Sequence, residues 1–288
     1  MNLILIKSSE VSEGKTVIFD TRKDARAKHT LSHLRKSAGD TLTVGIIGGC
    51  QGLATLSLVS LAQIQLTLEF DPRKPADNLN ISEISLVLAV PFPKRVKYLW
   101  AVIASMGVTR IVVIRGLLSD PDFTQTSALT PQVYEALLEE GLSQGGHTRP
   151  VEVVIEVDEP VSRELLNNLG LARTTESNTA KVFFDCGDEE GIPPPAREVI
   201  LEQLSKQDVS KTLSAIVAVG PERGWTDEEA NLFHEAGFAS ATLGRSILRV
   251  DSAVIASLAI VTAALDEVQL KRNTISNKRT VDEFTGQA

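Results

Sequence analysis

From residue 82 onward, short apolar runs recur with little polar alternation: "EISLVLAV" at 83–90, "RIVVI" at 110–114, "AKVFFDCG" at 180–187 and "LSAIVAVG" at 213–220. A strand that is apolar on both sides must be covered on both sides, which is the condition of a parallel sheet between layers of helices. Helical segments separate the runs: "KRVKYLWAVIASMG" (94–107), "PQVYEALLEEGL" (131–142), "PAREVILEQLSK" (195–206), "TDEEANLFHEAG" (226–237) and the long "DSAVIASLAIVTAALDEVQL" (251–270). With "VEVVIEV", a helix opened by Pro160, and "SATLG", six strand–helix units fill residues 82–270 and predict an α/β fold.

Residues 1–72 follow another pattern. "NLILI", "KTVIF", "DTLTVGII", "GLATLSLV" and "IQLTLEF" are short strands punctuated by glycines 45, 48, 49 and 52, which predicts a small β-barrel-like module. One helix near 24–36 interrupts it, with Ala27, Leu31 and Leu34 at i, i+4, i+7 expected to face the core. "FDPRKPADNLN" (70–80) carries two prolines and turn formers, so residues 73–81 are assigned as a linker. The polar segment 271–288 is expected to be a flexible tail.

The net charge of −8 is unevenly spread. Residues 1–75 hold 10 Lys and Arg against 7 Asp and Glu, the remainder 19 against 30. The basic stretch "RKDARAKHTLSHLRK" (22–36) suits phosphate contacts as well as an ordinary solvated face. Two cysteines and four histidines without metal-ligand spacing predict neither a disulfide framework nor a metal site. No uninterrupted apolar run approaches the roughly 20 residues of a membrane span. "MNLILIKSSEV" lacks a basic leader, so the expected location is cytoplasmic, or an organelle if a transit peptide precedes this sequence.

Parallel sheets hold ligands outside the carboxyl ends of their strands. Three strand ends here carry unusual residues: "FFDCGDEEG" (183–191), "GPERG" (220–224) and "LGRSILRVDSA" (243–253). GPERG has the spacing of neither a P-loop, a GxSxG elbow nor a GxGxxG turn. Gly220 permits close approach, Pro221 fixes φ and Gly224 tolerates a left-handed turn, while Thr226 and Glu229 have capping-box spacing. The Ile-Leu pair at 247–248 is unusual for a plain connection and points to a ligand or to loop packing.

These residues carry a resemblance. "AVGPERGWTDEEANLFHEAGFASATLGRSILRVDSA" is similar to the signature of the RsmE family, iGPEGGfs-x-x-E followed by aGF-x-x-x-x-LG-x-RILR-x-ETA. "HTLSHLRKSAGDTLTV" resembles the family's H-x-x-x-VLR-x-x-x-GD segment, and "GLSQGGHTRPVEV" its EQ-x-x-R-x-x-P stretch. The resemblance spans roughly residues 1–270. It implies a SPOUT-type α/β knot, a trefoil-knotted parallel sheet, with an N-terminal PUA-like β-barrel domain. It also implies a homodimer through the last helix, with S-adenosylmethionine held by the three knotted loops. The activity implied is methylation of uridine N3 in small-subunit ribosomal RNA, without metal or membrane. The cofactor-binding residues are then Phe184, Asp185, Val219, Gly220, Pro221, Glu222, Gly224, Leu243, Gly244, Ile247, Leu248 and Arg249. RNA would be held by His33, Arg35, Lys36, His147 and Arg149.

This chain departs from the pattern at four places. Arg223 stands for the second glycine of GPEGG, and Asp251-Ser252-Ala253 for ETA. Val102 and Ser105 stand for the lysine and glutamate of KATELG, and His147 for the arginine of EQ-x-x-R. Methylation at N3 requires stabilisation of the charge left when the proton departs, and Arg249, Arg223 and Arg149 are the catalytic candidates. Arg249 has a competing role, pairing with Asp251 or Glu222 to hold its loop. His147 could act as a base, but a lone histidine in a loop is more often neutral packing. A catalytically silent RNA-binding or ribosome-assembly factor on the same fold is the alternative function.

Overall fold

The computed structural model describes residues 3–75, 82–172, 179–187, 191–208 and 211–285, with side chains to residue 274 in the last helix. The chain divides into two compact units. One gathers Met1–Leu79, Ile103–Gly107 and Glu135–Val151; the other gathers Asn80–Val102, Val108–Tyr134 and Glu152–Ala288.

In the N-terminal unit all five expected strands form. They are β1 (Ile4–Ile6), β2 (Thr16–Asp20), β3 (Thr41–Ile46), β4 (Gln51–Val59) and β5 (Gln63–Leu68), in one sheet of order β1-β3-β4-β5-β2. β1 runs parallel to β3 and the other pairings are antiparallel. Alternate residues Val17 and Phe19, Val44 and Ile46, Ile64 and Leu66 are buried in the core, as period-two patterning requires.

The helix α1 (Ala25–Lys28) is capped by Asp24 and widens into a π turn over His29–His33. Ala27 is buried and Leu31 packs against the core, but Leu34 is 37% exposed. The π turn closes from His29 O to Leu34 N, so later side chains lag behind the α-helical phase and Leu34 leaves the stripe. Thr30 is buried in its place, its hydroxyl donating to Arg26 O at 2.8 Å.

Arg26 is another departure from the basic face expected for 22–36, because it turns inward. Its guanidinium donates to Glu10 at 2.6 and 2.9 Å, to Asp24 at 2.8 and 3.1 Å and to Leu5 O at 2.9 Å, and lies 4.1 Å from the centre of the Phe19 ring. The Arg26 hydrogen bonds hold Glu10 below its ordinary pKa of 4.5. Burial raises Asp24, yet the hydrogen bonds from Arg26 bring it below 3.8. A depressed carboxylate pKa means the unfolded chain binds more protons. The clamp therefore stabilises fully above the ordinary values and is lost as pH falls through and below them. The N-terminal unit should melt at lower temperature as pH drops from about 5 to about 3. Arg26→Met should flatten that dependence in calorimetry, and an unchanged slope would show that the clamp carries none of it.

The second unit contains β6 (Glu83–Ala89), β7 (Arg110–Arg115), β8 (Glu152–Pro160), β9 (Thr179–Phe184), β10 (Ser214–Val219) and β11 (Ala239–Ala241). They form one sheet of order β11-β9-β10-β6-β7-β8, parallel throughout. The helices are α2 (Pro93–Ser105), α3 (Pro131–Gly145), α4 (Arg163–Asn168), α5 (Ala196–Ser205), α6 (Asp227–Glu235) and α7 (Val250–Thr285). Pro160 does not open α4; it ends β8, an edge strand where a missing N–H is tolerated, and Ser162 caps the helix instead. Phe183, Phe233 and Phe238 pack ring against ring beside Val87, Val112 and Ala218.

α7 runs to Thr285, well past residue 270. "QLKRNTISNKRTVDEF" has no Gly or Pro and ample helix formers, so polarity alone does not stop the helix. Within it, Val250–Thr274 is long and apolar enough to cross a membrane by composition, with a mean hydropathy of 1.7. Serine and threonine interrupt the apolar residues without lowering the average much. Val254, Leu258, Val261 and Leu265 form its buried stripe, and only 33% of the apolar window is covered.

Candidate active site

The strands β11, β9 and β10 are neighbours, so the loops leaving their carboxyl ends converge. Between them lies a cleft of about 420 Å³, of the size that holds a small cofactor. Phe184, Asp185, Val219, Gly220, Pro221, Glu222, Gly224, Leu243, Gly244, Ile247 and Leu248 all line it, as does Arg223.

Each loop is fixed locally. After β9, Asp185 N donates to Ala241 O at 3.0 Å, and Asp185 Oδ1 accepts from Gly187 N at 3.3 Å. After β10 the turn closes from Pro221 O to Gly224 N at 2.9 Å. Gly224 is left-handed with φ +73°, whereas Arg223 is outside that region. The position where the family pattern has its second glycine thus imposes no backbone demand here, and Arg223 is accommodated without strain. A Cβ on Gly220 would stand 3.3 Å from Trp225 Cε2 and Nε1, so the backbone is pressed against the indole. After β11, the Thr242 hydroxyl donates to Gly244 O at 3.0 Å and accepts from Gly244 N at 3.2 Å.

The capping box forms. Thr226 N donates to Glu229 Oε2 at 2.8 Å, and Glu229 N to the Thr226 hydroxyl at 3.2 Å. Glu229 is fully buried and does more than the motif foretells, since its Oε1 accepts from Leu117 N at 2.8 Å and ties the loop after β7 to the start of α6.

Ile247 is 88% exposed and Leu248 36%, an apolar pair at the cleft of which Ile247 is largely uncovered among the described residues. Trp225 also lines the cleft, and its Nε1 is buried without a partner among the described residues. Sequence reasoning left Trp225 out although it directly follows GPERG. Cys186 lines the cleft as an exposed thiol, and the Cys50 thiol donates to Asp71 O at 3.3 Å.

Arg249 is not in the cleft lining. It is 71% exposed, with Nε 3.7 Å from Asp251 Oδ1, so the competing pairing with Asp251 is present. Glu222 is taken by other donors: its Oε1 accepts from Phe92 N at 3.0 Å and lies 3.4 Å from Arg95 Nη1. Arg95 had no sequence signal beyond its place in the first turn of α2.

His33, Arg35, Lys36, His147 and Arg149 belong to the N-terminal unit. His33 stacks on His29 with ring centres 5.2 Å apart, and Arg35 adopts φ +52°, unusual for a residue with a side chain. His147 N closes the end of α3 on Leu142 O, and its ring lies against Gly107 and Gly145, which favours the packing role. A groove of about 660 Å³ in this unit includes exposed Lys15, Arg73 and Lys74 and lies beside the carboxyl end of β3, but it shares none of the three loops. Among the described residues no three His, Cys, Asp or Glu side chains gather as a metal group.

The family model of the RNA methyltransferase domain matches residues 77–262, which includes all three loops of the cleft. The chain belongs to this family of RNA methyltransferases. Its relatives bear out the likeness to RsmE. It is similar to the ribosomal RNA small subunit methyltransferase E of Treponema pallidum, 26% identical over 91% of each chain. A second relative, methyltransferase E 1 of Borreliella burgdorferi, is 22% identical over 92% of this chain and 98% of its own. The fold of this methyltransferase chain is shared with the crystal structure of the Neisseria gonorrhoeae small subunit methyltransferase E bound to S-adenosyl methionine. That comparison has a TM-score of 0.60 at 20% identity, over 91% of this chain and 97% of that one.

Proposed function

We propose that the protein transfers a methyl group from S-adenosylmethionine to N3 of a uridine in small-subunit ribosomal RNA. The observation that carries this reading is the cleft at the ends of β9, β10 and β11, lined by the three loops and flanked by exposed Ile247 and partly exposed Leu248. Those features fit an adenosyl group: apolar side chains cover the faces of a purine and strand-end N–H and C=O groups read its edges. The names of the curated relatives support the ribosomal substrate.

S-adenosylmethionine, when bound, supplies an electrophilic methyl group on a sulfonium. The chain's own residues must hold the uracil in line with it and stabilise the negative charge at N3 as its proton leaves. Arg223 lines the cleft and is exposed, so it is the nearest cation for that task. Arg249 is the second candidate, once released from Asp251. Arg149 is the third, from the other unit, which we read as a PUA-like barrel anchoring RNA with His33, Arg35, Lys36 and His147. The knot is supported by the bonds between Thr242 and residues Pro194 and Ala196, each 3.0 Å, which tie the chain after β11 to the start of α5. The thinly covered apolar face of α7 supports a homodimer formed through that helix.

The test is mass spectrometry of nucleosides from small-subunit ribosomal RNA of cells with and without the protein. Loss of 3-methyluridine in its absence is the expected result. A lost methyl on ribose or on a purine would refute the N3 assignment. The silent-factor reading rests on Val102 and Ser105 standing where the family pattern has lysine and glutamate. It predicts cofactor binding with no change in RNA methylation.

A further inference from the structure

Glu222, in the turn after β10, lines the cleft, and Asp251, in the first turn of α7, stands between the lining residues Val250 and Ala253. Arg95 stands between them, with Nη1 3.4 Å from Glu222 Oε1 and 3.9 Å from Asp251 Oδ1. The three side chains are 24%, 32% and 25% exposed, so their interaction is screened less than that of a surface pair. Glu222 is further fixed by Phe92 N, which anchors the turn after β10 to the start of α2. Asp251 Oδ1 is different: it is buried and accepts no hydrogen bond among the described residues, so its charge is balanced only by cations near 4 Å. Those cations are Arg95 and Arg249. Arg249 is 71% exposed and has no other ion pair among the described residues.

Resting on the methyltransferase reading of the cleft, we propose that Arg95 is a positioning residue for methyl transfer. Its guanidinium holds the turn after β10 and the start of α7 at a fixed separation. By sharing Asp251 it also loosens that carboxylate's hold on Arg249, which the substrate must draw away. Without Arg95, two like charges face each other across the wall of the cleft, and Asp251 retains Arg249 as its sole cation.

The experiment measures S-adenosylmethionine affinity by calorimetry on the full chain and methyl incorporation into ribosomal RNA. Arg95→Met should weaken cofactor binding about tenfold, and Arg95→Lys, which keeps the charge, should restore most of it. Adding Asp251→Asn to Arg95→Met should also recover affinity, because only one carboxylate is then left at the wall. A role confined to packing beneath Arg95 predicts no such recovery. Arg249→Met should lower incorporation in the wild-type background and add little to Arg95→Met. Unchanged affinity in Arg95→Met, or no recovery with Asp251→Asn, overturns the proposal while leaving the methyltransferase reading intact. A wild-type chain that binds no S-adenosylmethionine overturns both.

Discussion

Gly220→Trp should abolish measurable S-adenosylmethionine binding. Gly220 is where β10 leaves the sheet, and a Cβ there already comes within 3.3 Å of Trp225 and of the Gly224 carbonyl carbon. An indole has no room on that side and must project into the cleft of about 420 Å³, where it occupies the ligand's volume. A steric cost of a few kcal/mol imposed on the bound ligand corresponds to a loss of roughly 100-fold in affinity or more. Gly220→Ala gives the graded version, a smaller loss set by how far Trp225 can yield. Calorimetry reads both, and a tryptophan variant that binds like the wild type would place the cofactor elsewhere.

The second large effect is on stability. Glu229→Ala should destabilise the second unit by about 2 kcal/mol, from a lost cap of ~1 kcal/mol and a part-buried Leu117 N–H left without its acceptor. Thr226→Ala removes only the cap side of the arrangement and should cost about 1 kcal/mol. Urea unfolding followed by tryptophan fluorescence suits this comparison, because Trp100 and Trp225 both lie in that unit. Equal costs for the two substitutions would mean that the bond to Leu117 contributes nothing.

Much of the fold was legible because its signals are local. Continuous apolar runs marked β6, β7, β9 and β10, period-two patterning marked the N-terminal strands, and the three-residue spacing of Thr226 and Glu229 announced a cap that forms as expected. Failures came where side-chain spacing carries no signal of the backbone turn, or where the deciding partner is distant in sequence. Leu34 is displaced by a π turn that side-chain spacing cannot reveal. Pro160 reads as a helix opener until the sheet order shows β8 at an edge. Of the candidate site, the turn glycines and apolar loop residues were readable from their mismatch with a plain connection. Arg95 was not, since its partners Glu222 and Asp251 lie more than a hundred residues away.

The turn after β10 separates two kinds of inheritance. Gly224 is bound to its left-handed backbone, and Gly220 to its contact with Trp225. Position 223 answers to neither constraint, yet its side chain borders the same cleft. A lineage can therefore rewrite what this tip meets, from hydrogen to guanidinium, without rebuilding the wall behind it. If the cleft holds the methyl donor as proposed, contact with the RNA and the grip on that donor can then evolve at different rates within five consecutive residues.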